Sequence, residues 1–191
     1  MINVFTDGAC SNNGKPDAKA GIGIYFGEND SRNLSKRVNG KQSNNTAELS
    51  AILEVFDILK EDILLGNDIM IYSDSTYSIR WCGEYGEKCE KNNWKRKTPI
   101  PNLELGKKLY LLCKEYPNVK LTHIKAHTGK LDILSLGNEC ADKLANEAIG
   151  LYHISHNRFY LNISYENKEI GKKYGAKWDK NKKKWYYEGL N

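Results

Sequence analysis

Segments with the two-residue period of a β-strand alternate with segments of helical period along most of this chain. Residues 2–7 alternate in side-chain direction as a strand requires, residues 43–62 repeat apolar side chains at helical spacing, and residues 67–74 form a nearly continuous apolar run. A helix with one apolar face must bury that face against another element, and strands are its neighbours here. The alternation therefore predicts an α/β fold in which helices cover the faces of a sheet.

The pattern also predicts where the elements of the first 150 residues lie. Strands are expected over 2–7, 21–28, 32–40, 67–74 and 119–127, and helices over 43–62, 75–85, 103–116 and 137–150. Thr46 is a candidate cap for the first helix. The apolar run 67–74 is expected to be a central strand that is covered on both faces. The polar, basic stretch 86–102 is predicted to be an exposed loop.

The rest of the chain differs in charge and pattern. Residues 1–150 contain 20 Lys and Arg and 20 Asp and Glu, whereas residues 151–191 contain 9 and 4, so the tail carries the whole net charge of +5. We expect a catalytic domain over 1–150, a linker over 151–157 and a small strand–helix–hairpin module over 158–191. A basic module of this kind is a candidate contact for nucleic acid.

Composition excludes several classes of protein. No apolar run approaches the roughly 20 residues that span a membrane, and no basic segment followed by an apolar one marks a secretory signal. The five cysteines are odd in number and form no C-x-x-C pair, which favours reduced thiols. We therefore expect an intracellular protein that is not secreted.

Four carboxylates occupy positions that are unusual for a charge. Asp7 and Asp74 each follow an apolar stretch of a strand. Glu48 shares the apolar face of its helix, and Asp142 lies in the last helix. Each alone has an ordinary explanation, as a turn residue, a side chain that reaches water or a partner of the helix dipole. The four together are harder to explain in this way, because two follow strands and two lie on helices that pack on those strands.

Clustered carboxylates require a cation. They repel one another and raise one another's pKa unless positive charge compensates them. Oxygen ligands without His or Cys suit a hard ion such as Mg²⁺, which keeps open positions for water and phosphate oxygens. Two such ions about 3.5–4 Å apart can promote phosphodiester cleavage. The four acids are therefore a candidate magnesium site.

Motifs in five places resemble, in order, those of type 1 ribonuclease H. They span residues 1–149 and are FTDGACSNNG, NNTAELSAI, IYSDSTYSI, KAHTG and GNECADKLA. The resemblance implies a ribonuclease H-like fold with a five-stranded mixed sheet and helices on both faces. It implies endonucleolytic hydrolysis of the RNA strand of RNA/DNA hybrids by two Mg²⁺ ions, for which Mn²⁺ can substitute. It also implies 3′-hydroxyl and 5′-phosphate ends and a monomeric enzyme.

The resemblance implies roles for the acids and for one histidine. The catalytic, metal-binding set would be Asp7, Glu48, Asp74 and Asp142. His127, in a loop after a strand, would assist proton transfer or product release, whereas His123 is assigned to the core. The link from His127 to the last helix is longer than is usual in the family. Its extra segment 131–136 could shift the site or form a turn over it.

Polar side chains near two of the acids are candidates for contacts to a hybrid. Short amide groups can reach 2′-hydroxyls and base edges in a minor groove. By resemblance, the residues with this role are Asn13, Asn44 and Asn45, and Gln42 is a further candidate. The pocket for a phosphate of the DNA strand would consist of Lys41, Ser43 and Asn102. The family often has Arg and Thr at the first two positions, so the charge and the hydroxyl remain but a bidentate contact is lost.

A basic segment and several aromatic residues are candidates for contacts to the nucleic-acid backbone. Residues 88–97 interleave Lys and Arg with Trp94 and resemble the basic handle of the family. The aromatic ledge for deoxyriboses would consist of Tyr77, Trp81 and Tyr85. The tail resembles a short uncharacterised domain appended to primases and conjugative-transfer proteins, through Y-L-N, G-A-K-W-D and K-K-W-Y. Its expected small core consists of Phe159, Trp178, Trp185 and Tyr186.

Two other functions stay open. One is a non-catalytic RNA/DNA hybrid-binding protein on the same fold, and the other is a transposase- or integrase-type enzyme on a related sheet. Clustered negative charges would not help a protein that only binds phosphates, which favours catalysis. The asparagines, the phosphate pocket and the basic segment favour a ribonuclease over the third possibility.

Overall fold

A computed structural model describes two compact units of the chain, Met1–Tyr152 and His153–Asn191. The described residues are 1–126, 132–151, 157–161, 172, 176–179 and 182–189, and the side chains of 157–161 and 187–189 are not among them. None of the helices in these ranges has the length and apolar character needed to cross a membrane.

The first unit contains the mixed sheet that the resemblance implies. Its strands are β1 (Ile2–Ser11), β2 (Lys19–Tyr25), β3 (Leu34–Arg37), β4 (Ile69–Ser73) and β5 (Val119–His123), in the order β3-β2-β1-β4-β5. The pairs β1–β2 and β2–β3 are antiparallel, whereas β1–β4 and β4–β5 are parallel. The prediction of a five-stranded mixed sheet is confirmed, and β1 is its middle strand.

Helices cover both faces of this sheet, as predicted. They are α1 (Asn44–Ile58), α2 (Lys60–Leu64), α3 (Thr76–Cys82), α4 (Glu84–Lys91), α5 (Leu103–Glu115) and α6 (Ile133–Ala148). Val4 of β1 belongs to the main core with residues of α1, whereas its neighbour Phe5 packs with Ala141 of α6. Because consecutive strand residues point to opposite faces, α1 and α6 lie on opposite sides of the sheet.

Several boundaries differ from those expected. The predicted helix 43–62 is divided into α1 and α2, the predicted strand 119–127 ends at His123, and three further differences lie in β1, α1 and α6. The strand β1 does not end at Asp7 but continues to Ser11, because its second half pairs with β2. The cap of α1 is Ser43 rather than Thr46, since the Ser43 hydroxyl accepts the backbone N–H of Thr46. The helix α6 begins at Ile133, four residues before the predicted start, with Asp132 as its cap. Residues 133–136 are therefore the first turn of a helix.

Three other expectations are wrong because burial depends on tertiary packing. The predicted loop 86–102 contains most of α4, which begins at Glu84, buries Cys89 and presents charged side chains to water. The strand β4 is fully buried on one face only, because Met70 and Tyr72 on the other face are half-buried. His123 is exposed at the end of β5 and does not belong to the core.

The second unit contains a small antiparallel sheet. Its strands are β6 (Asn157–Leu161), β7 (Lys177–Asp179) and β8 (Lys184–Gly189), in the order β6-β8-β7. The predicted strand and hairpin are confirmed, whereas the predicted helix 165–175 lies outside the described residues except for Lys172. Of the expected small core, Trp185 and Tyr186 are buried, Trp178 is 37% exposed against Trp185, and the side chain of Phe159 is outside the described part.

Candidate active site

The register of the two central parallel strands places two carboxylates side by side. The last paired residues of β1 and β4 are Thr6 and Ser73. Asp7 and Asp74 are the residues that follow directly, at the point where β4 ends and β1 continues beside β2. Ligand sites of α/β sheets form at the carboxyl ends of parallel strands where neighbouring chains diverge. The sheet itself therefore brings these two acids together.

A close approach of α1 to β1 adds the third acid. Gly8 lies against the start of α1, and a Cβ atom at Gly8 would be 2.7 Å from the backbone carbon of Ala47 and would collide with the backbone of Glu48. Only glycine therefore permits the helix backbone to lie this close to the strand. Glu48 follows Ala47 on the buried side of α1 and is itself 5% exposed.

The three acids form a tight cluster in which Asp7 and Glu48 are buried and Asp74 is half-buried. One carboxylate oxygen from each of Asp7, Glu48 and Asp74 lies within 4.8 Å of the other two. Within the described part of the chain, the ion pairs include none of these acids. The Oε2 atom of Glu48 is buried without a hydrogen-bond partner among the same residues. The cluster is therefore acidic and uncompensated by the described side chains.

Asp142 lies beside this cluster but is not part of its tightest set. Its carboxyl group interacts with that of Asp7, and Asn146 donates to its Oδ1 atom at 2.8 Å from one turn further along α6. Asp142 is half-buried. The fourth predicted acid thus approaches the cluster from the helix on the opposite face of the sheet.

Burial and mutual repulsion shift the pKa of two of these acids upward. Desolvation, followed by repulsion from Asp74 and Asp142, raises the pKa of Asp7 to about 8. Burial, with repulsion from Asp7 and Asp74, raises the pKa of Glu48 well above its ordinary value. A divalent cation would reverse both effects, because it favours the ionised form of every neighbouring carboxylate. The all-oxygen set fits Mg²⁺ or Mn²⁺.

This site also contains one residue that the sequence pattern did not predict. Asn138 of α6 is 2% exposed, and its Nδ2 atom donates to Oδ2 of Asp74 at 3.0 Å. Its position four residues before Asp142 puts both on one face of the helix. That spacing was the available signal, but the strand that lies opposite this face was unknown from the sequence.

Hydrogen bonds link the predicted phosphate-pocket residues into a chain. The hydroxyl groups of Ser43 and Thr46 are 2.7 Å apart, and Thr46 donates to Oδ1 of Asn102 at 3.3 Å. Asn102 in turn donates to the hydroxyl of Tyr77 at 3.2 Å. Lys41 is exposed just before this network. The structure therefore joins the cap of α1 to the start of α5 through a chain of polar side chains that includes Ser43 and Asn102 of the predicted pocket.

The asparagines predicted to contact a minor groove lie in the β1–β2 connection and in the first turn of α1. The Oδ1 atom of Asn13 accepts the backbone N–H of Asn44 at 3.3 Å, and both residues are exposed, as is Asn45. Gln42 differs from them, because its amide group accepts from the backbone of β2 and donates to Val38 and Gly40. Gln42 therefore has a structural role in holding the loop.

The basic segment folds around an open cavity of about 660 Å³. Its walls are formed by Arg80, Glu84, Tyr85, Lys88, Cys89, Asn92, Lys95 and Arg96. Arg96 donates to the hydroxyl of Tyr85 at 3.3 Å. Trp94 packs edge-on against Tyr110 and under the ammonium group of Lys107, so it is half-buried. Trp81 is fully buried and is excluded from the expected aromatic ledge.

His127 is the one predicted catalytic residue outside the described residues. The described chain stops at Ala126 and resumes at Asp132. The role of His127 therefore stays a prediction from the KAHTG motif alone.

Comparison with known proteins identifies relatives of both units. A family model described as RNase H matches residues 1–150, and one described as a domain of unknown function (DUF5710) matches residues 158–189. Ribonuclease H of Clostridium botulinum is 35% identical over 156 residues, which are 80% of this chain and 98% of that protein. Human ribonuclease H1 is 31% identical over 150 residues, 77% of this chain and 49% of that protein. The solved PFV RNase H domain shares the fold, with a TM-score of 0.60 at 20% identity over 80% of this chain and 96% of that one.

Proposed function

This chain belongs to the RNase H family, and we propose that it is an endonuclease that hydrolyses the RNA strand of RNA/DNA hybrids. The family model over residues 1–150 and the relative at 35% identity establish the membership. The observation that carries the proposal is the acidic cluster of Asp7, Glu48 and Asp74. A protein that only bound hybrids would gain nothing from negative charges that repel phosphates.

We assign divalent cations to this cluster, with Mg²⁺ as the natural ion and Mn²⁺ as a substitute. Asp7, Glu48 and Asp74 would hold one ion, and Asp7 with Asp142 would hold a second. A cation would supply the partner that the buried Oε2 atom of Glu48 lacks. It would also remove the cause of the raised pKa of Asp7, because the charges that repel each other would then share a positive neighbour.

The proposed reaction leaves a 3′-hydroxyl and a 5′-phosphate. When bound, the two ions would activate a water molecule and stabilise the leaving oxygen. The fold keeps the carboxylates in place. Asp7 lies in β1, Asp74 directly follows the neighbouring strand β4, and Glu48 lies in α1, which packs against β1. His127 would move a proton to or from the reacting phosphate oxygens, a role that rests on family likeness.

Two groups of side chains would hold the hybrid. Asn13, Asn44 and Asn45 are exposed, and we propose that they contact 2′-hydroxyls and base edges in the minor groove. Lys41, Ser43 and Asn102 would bind a phosphate of the DNA strand. Support for this pocket comes from the hydrogen-bond chain through Ser43 and Asn102, which pre-orients its polar groups.

The basic segment would add backbone contacts. Most charged residues around its cavity are cationic, and Tyr85 lies among them. Tyr77 and Tyr85 would contact sugars of the DNA strand, whereas Trp94 would support the segment through its own packing. We propose that residues 1–150 are the catalytic domain, that 151–157 are a linker and that 158–191 are an accessory module that binds nucleic acid through its basic charge.

The deciding experiment compares substrates and metal. The full chain is incubated with end-labelled RNA/DNA hybrid, duplex RNA and duplex DNA, with Mg²⁺, with Mn²⁺ or with EDTA. We expect cleavage of the RNA strand of the hybrid only, and only with a divalent ion. The product ends are identified by ligation and by phosphatase treatment.

Three outcomes would contradict the proposal. Equal cleavage of duplex DNA would indicate a transposase- or integrase-type enzyme. Tight hybrid binding without cleavage in either metal would indicate the non-catalytic alternative. Cleavage that persists in EDTA would exclude the assigned role of the acidic cluster.

A further inference from the structure

Asn138 is a buried amide that contacts a catalytic acid. It lies in α6 one turn before Asp142, and its side chain is nearly inaccessible to solvent. Its Nδ2 atom donates to Oδ2 of Asp74 at 3.0 Å. No other side-chain hydrogen bond to Asp74 occurs among the described residues. Asn138 therefore restricts how the Asp74 carboxylate can turn about its own axis.

The other half of the same amide lacks a partner. Oδ1 of Asn138 is buried and accepts no hydrogen bond from the described residues. Buried polar atoms are nearly always satisfied, and an unsatisfied one is costly to stability. An apolar residue at this position would avoid the cost. The unsatisfied oxygen therefore indicates a donor that arrives with a bound group.

The helix that contains Asn138 packs closely on the sheet. Gly137 beside it lies against the ring of Phe5, where a Cβ atom would collide, so α6 is pressed onto the sheet at this turn. The amide of Asn138 thus lies on a helix that packs closely on the sheet, and Asp74 directly follows β4 of that sheet. Side chains held by packing in this way can position a metal ligand accurately.

We propose that Asn138 is a positioning residue of the metal site: it holds the Asp74 carboxylate in its binding orientation and offers Oδ1 to water that accompanies the cation. This inference rests on the proposed function of the acidic cluster. Hydrogen-bond partners of metal ligands typically change metal affinity by about 10–100-fold when removed. We therefore expect an effect on cation affinity of that size.

The test measures cation binding by the full chain without nucleic acid. The variants are Asn138→Ala and Asn138→Leu, of which the second keeps most of the side-chain volume. Affinity is measured by titration with Mn²⁺ followed by electron paramagnetic resonance, and by the increase in melting temperature with Mg²⁺. Unfolding in EDTA reports the stability of each variant.

Asn118→Ala is the matched control. The amide of Asn118 also donates within the fold, to the backbone of Ile63 and Asn67 at 3.2 and 2.9 Å, but it lies away from the acids. Its loss should affect stability in EDTA and leave cation affinity unchanged. The comparison therefore distinguishes an amide that only stabilises the fold from an amide that positions a metal ligand.

We expect the cation affinity of a folded Asn138 variant to fall by about 10–100-fold. A fall of threefold or more in either variant, with Asn118→Ala unchanged, supports the inference. Affinity within threefold of the wild type in both folded variants, or an equal loss in the control, overturns it. If the wild-type chain itself binds no divalent cation, the proposed function fails, and the inference fails with it for a separate and recognisable reason.

Discussion

Asp7 is a buried carboxylate within the middle strand of the sheet. A charge at such a position is costly unless a partner compensates it. The neighbours of Asp7 are other acids, and together with burial they raise its pKa to about 8. The strand therefore contains a carboxyl group whose ionised form is unfavourable in isolation and would be stabilised by a cation.

Replacement of Asp74 by Asn should abolish turnover without unfolding the chain. The substitution keeps the shape of the side chain but removes the charge that would hold the cation. We expect hybrid cleavage in Mg²⁺ to fall on the order of 10³-fold or more, as measured by single-turnover assays. The circular dichroism spectrum should stay unchanged.

Asp68→Asn is the matched control for this substitution. Asp68 is exposed and directly precedes β4, so its replacement removes the same charge outside the site. Its cleavage rate should be close to that of the wild type. Normal cleavage by the Asp74 variant would show that the assignment of the metal site is wrong.

In the absence of metal, the free energy of unfolding should decrease as the pH rises. The pKa of Asp7 is 3.8 in the unfolded chain and about 8 in the folded one, so the folded state binds more protons between these values. The free energy of unfolding in EDTA should therefore decrease from pH 5 to pH 8, and Glu48 should add to the decrease. Urea unfolding at several pH values measures this slope.

Two comparisons test the cause of this pH dependence. Mg²⁺ should flatten the slope, because it stabilises the ionised acids in the folded state. Asp7→Asn should also flatten it in EDTA and stabilise the chain at pH 8 by on the order of 1–3 kcal/mol. A slope in EDTA that is the same in the wild type and in Asp7→Asn would exclude Asp7 as its origin.

At the scale of elements, the distance between a strand and a helix determines whether the site forms. The backbone of α1 lies so close to β1 that only glycine fits at position 8. This contact places Glu48 next to Asp7 although the two residues belong to different layers. The acidic cluster therefore depends on one packing contact as much as on the acids themselves.

Gly8→Ala should push α1 away from β1. The added Cβ atom would collide with the backbone of Ala47 and Glu48, which cannot move without moving the helix. We expect a loss of roughly 1–3 kcal/mol in the free energy of unfolding, the usual cost of overpacking, and a weaker affinity for Mg²⁺. Urea unfolding and a cation titration measure the two effects.

Gly83→Ala provides the comparison for this prediction. Gly83 does not adopt a positive φ, and the nearest atom to an added Cβ would be 3.8 Å away. This variant should bind Mg²⁺ like the wild type. If Gly8→Ala also binds Mg²⁺ normally, the close approach is not required for the cluster.

At the scale of the whole molecule, the net positive charge comes from the residues after position 150. The hairpin of β7 and β8 presents Lys182, Lys183 and Lys184 as exposed residues at its turn. The acid beside this turn, Asp179, is buried and accepts the backbone N–H of Lys182. The exposed surface of the turn is therefore cationic, as a contact for phosphates requires.

Replacement of the three turn lysines by Gln should weaken hybrid binding in a salt-dependent way. Each lost phosphate contact should reduce the slope of log K against log salt by about 0.9, so the expected reduction is about 1–3. Binding is measured in the full chain that carries Asp74→Asn, which prevents cleavage. Hydrolysis of saturating hybrid by the chain with intact acids should be unchanged.

The control replaces three exposed lysines of the first unit, Lys60, Lys108 and Lys120, by Gln. It removes the same charge without altering the hairpin. Equal slopes for the two triple variants would show that the hairpin is not a specific contact and that only net charge matters. The association of the tail with domains of primases and conjugative-transfer proteins is a prediction that these binding measurements do not address.

The sequence alone determined the α/β class, most of the elements and the identity of the four acids. Local periodicity carries this information, because apolar residues repeat at the spacing of the element that buries them. Local periodicity did not predict α4, because its mostly charged sequence gives no sign that Gly86 packs against Trp81 and Tyr110. It also failed at the start of α6, where exposed apolar residues follow the cap Asp132.

Only the tertiary structure decided how the acids meet. Strand register is not encoded in local pattern, so the pairing of Thr6 with Ser73, which places Asp7 beside Asp74, could not be read from the chain. The contact of Asn138 with Asp74 joins residues 64 positions apart for the same reason. The sequence supplies the chemical groups, whereas their distances, and hence their pKa values and their capacity to bind a cation, arise from the packing of two helices on opposite faces of one sheet.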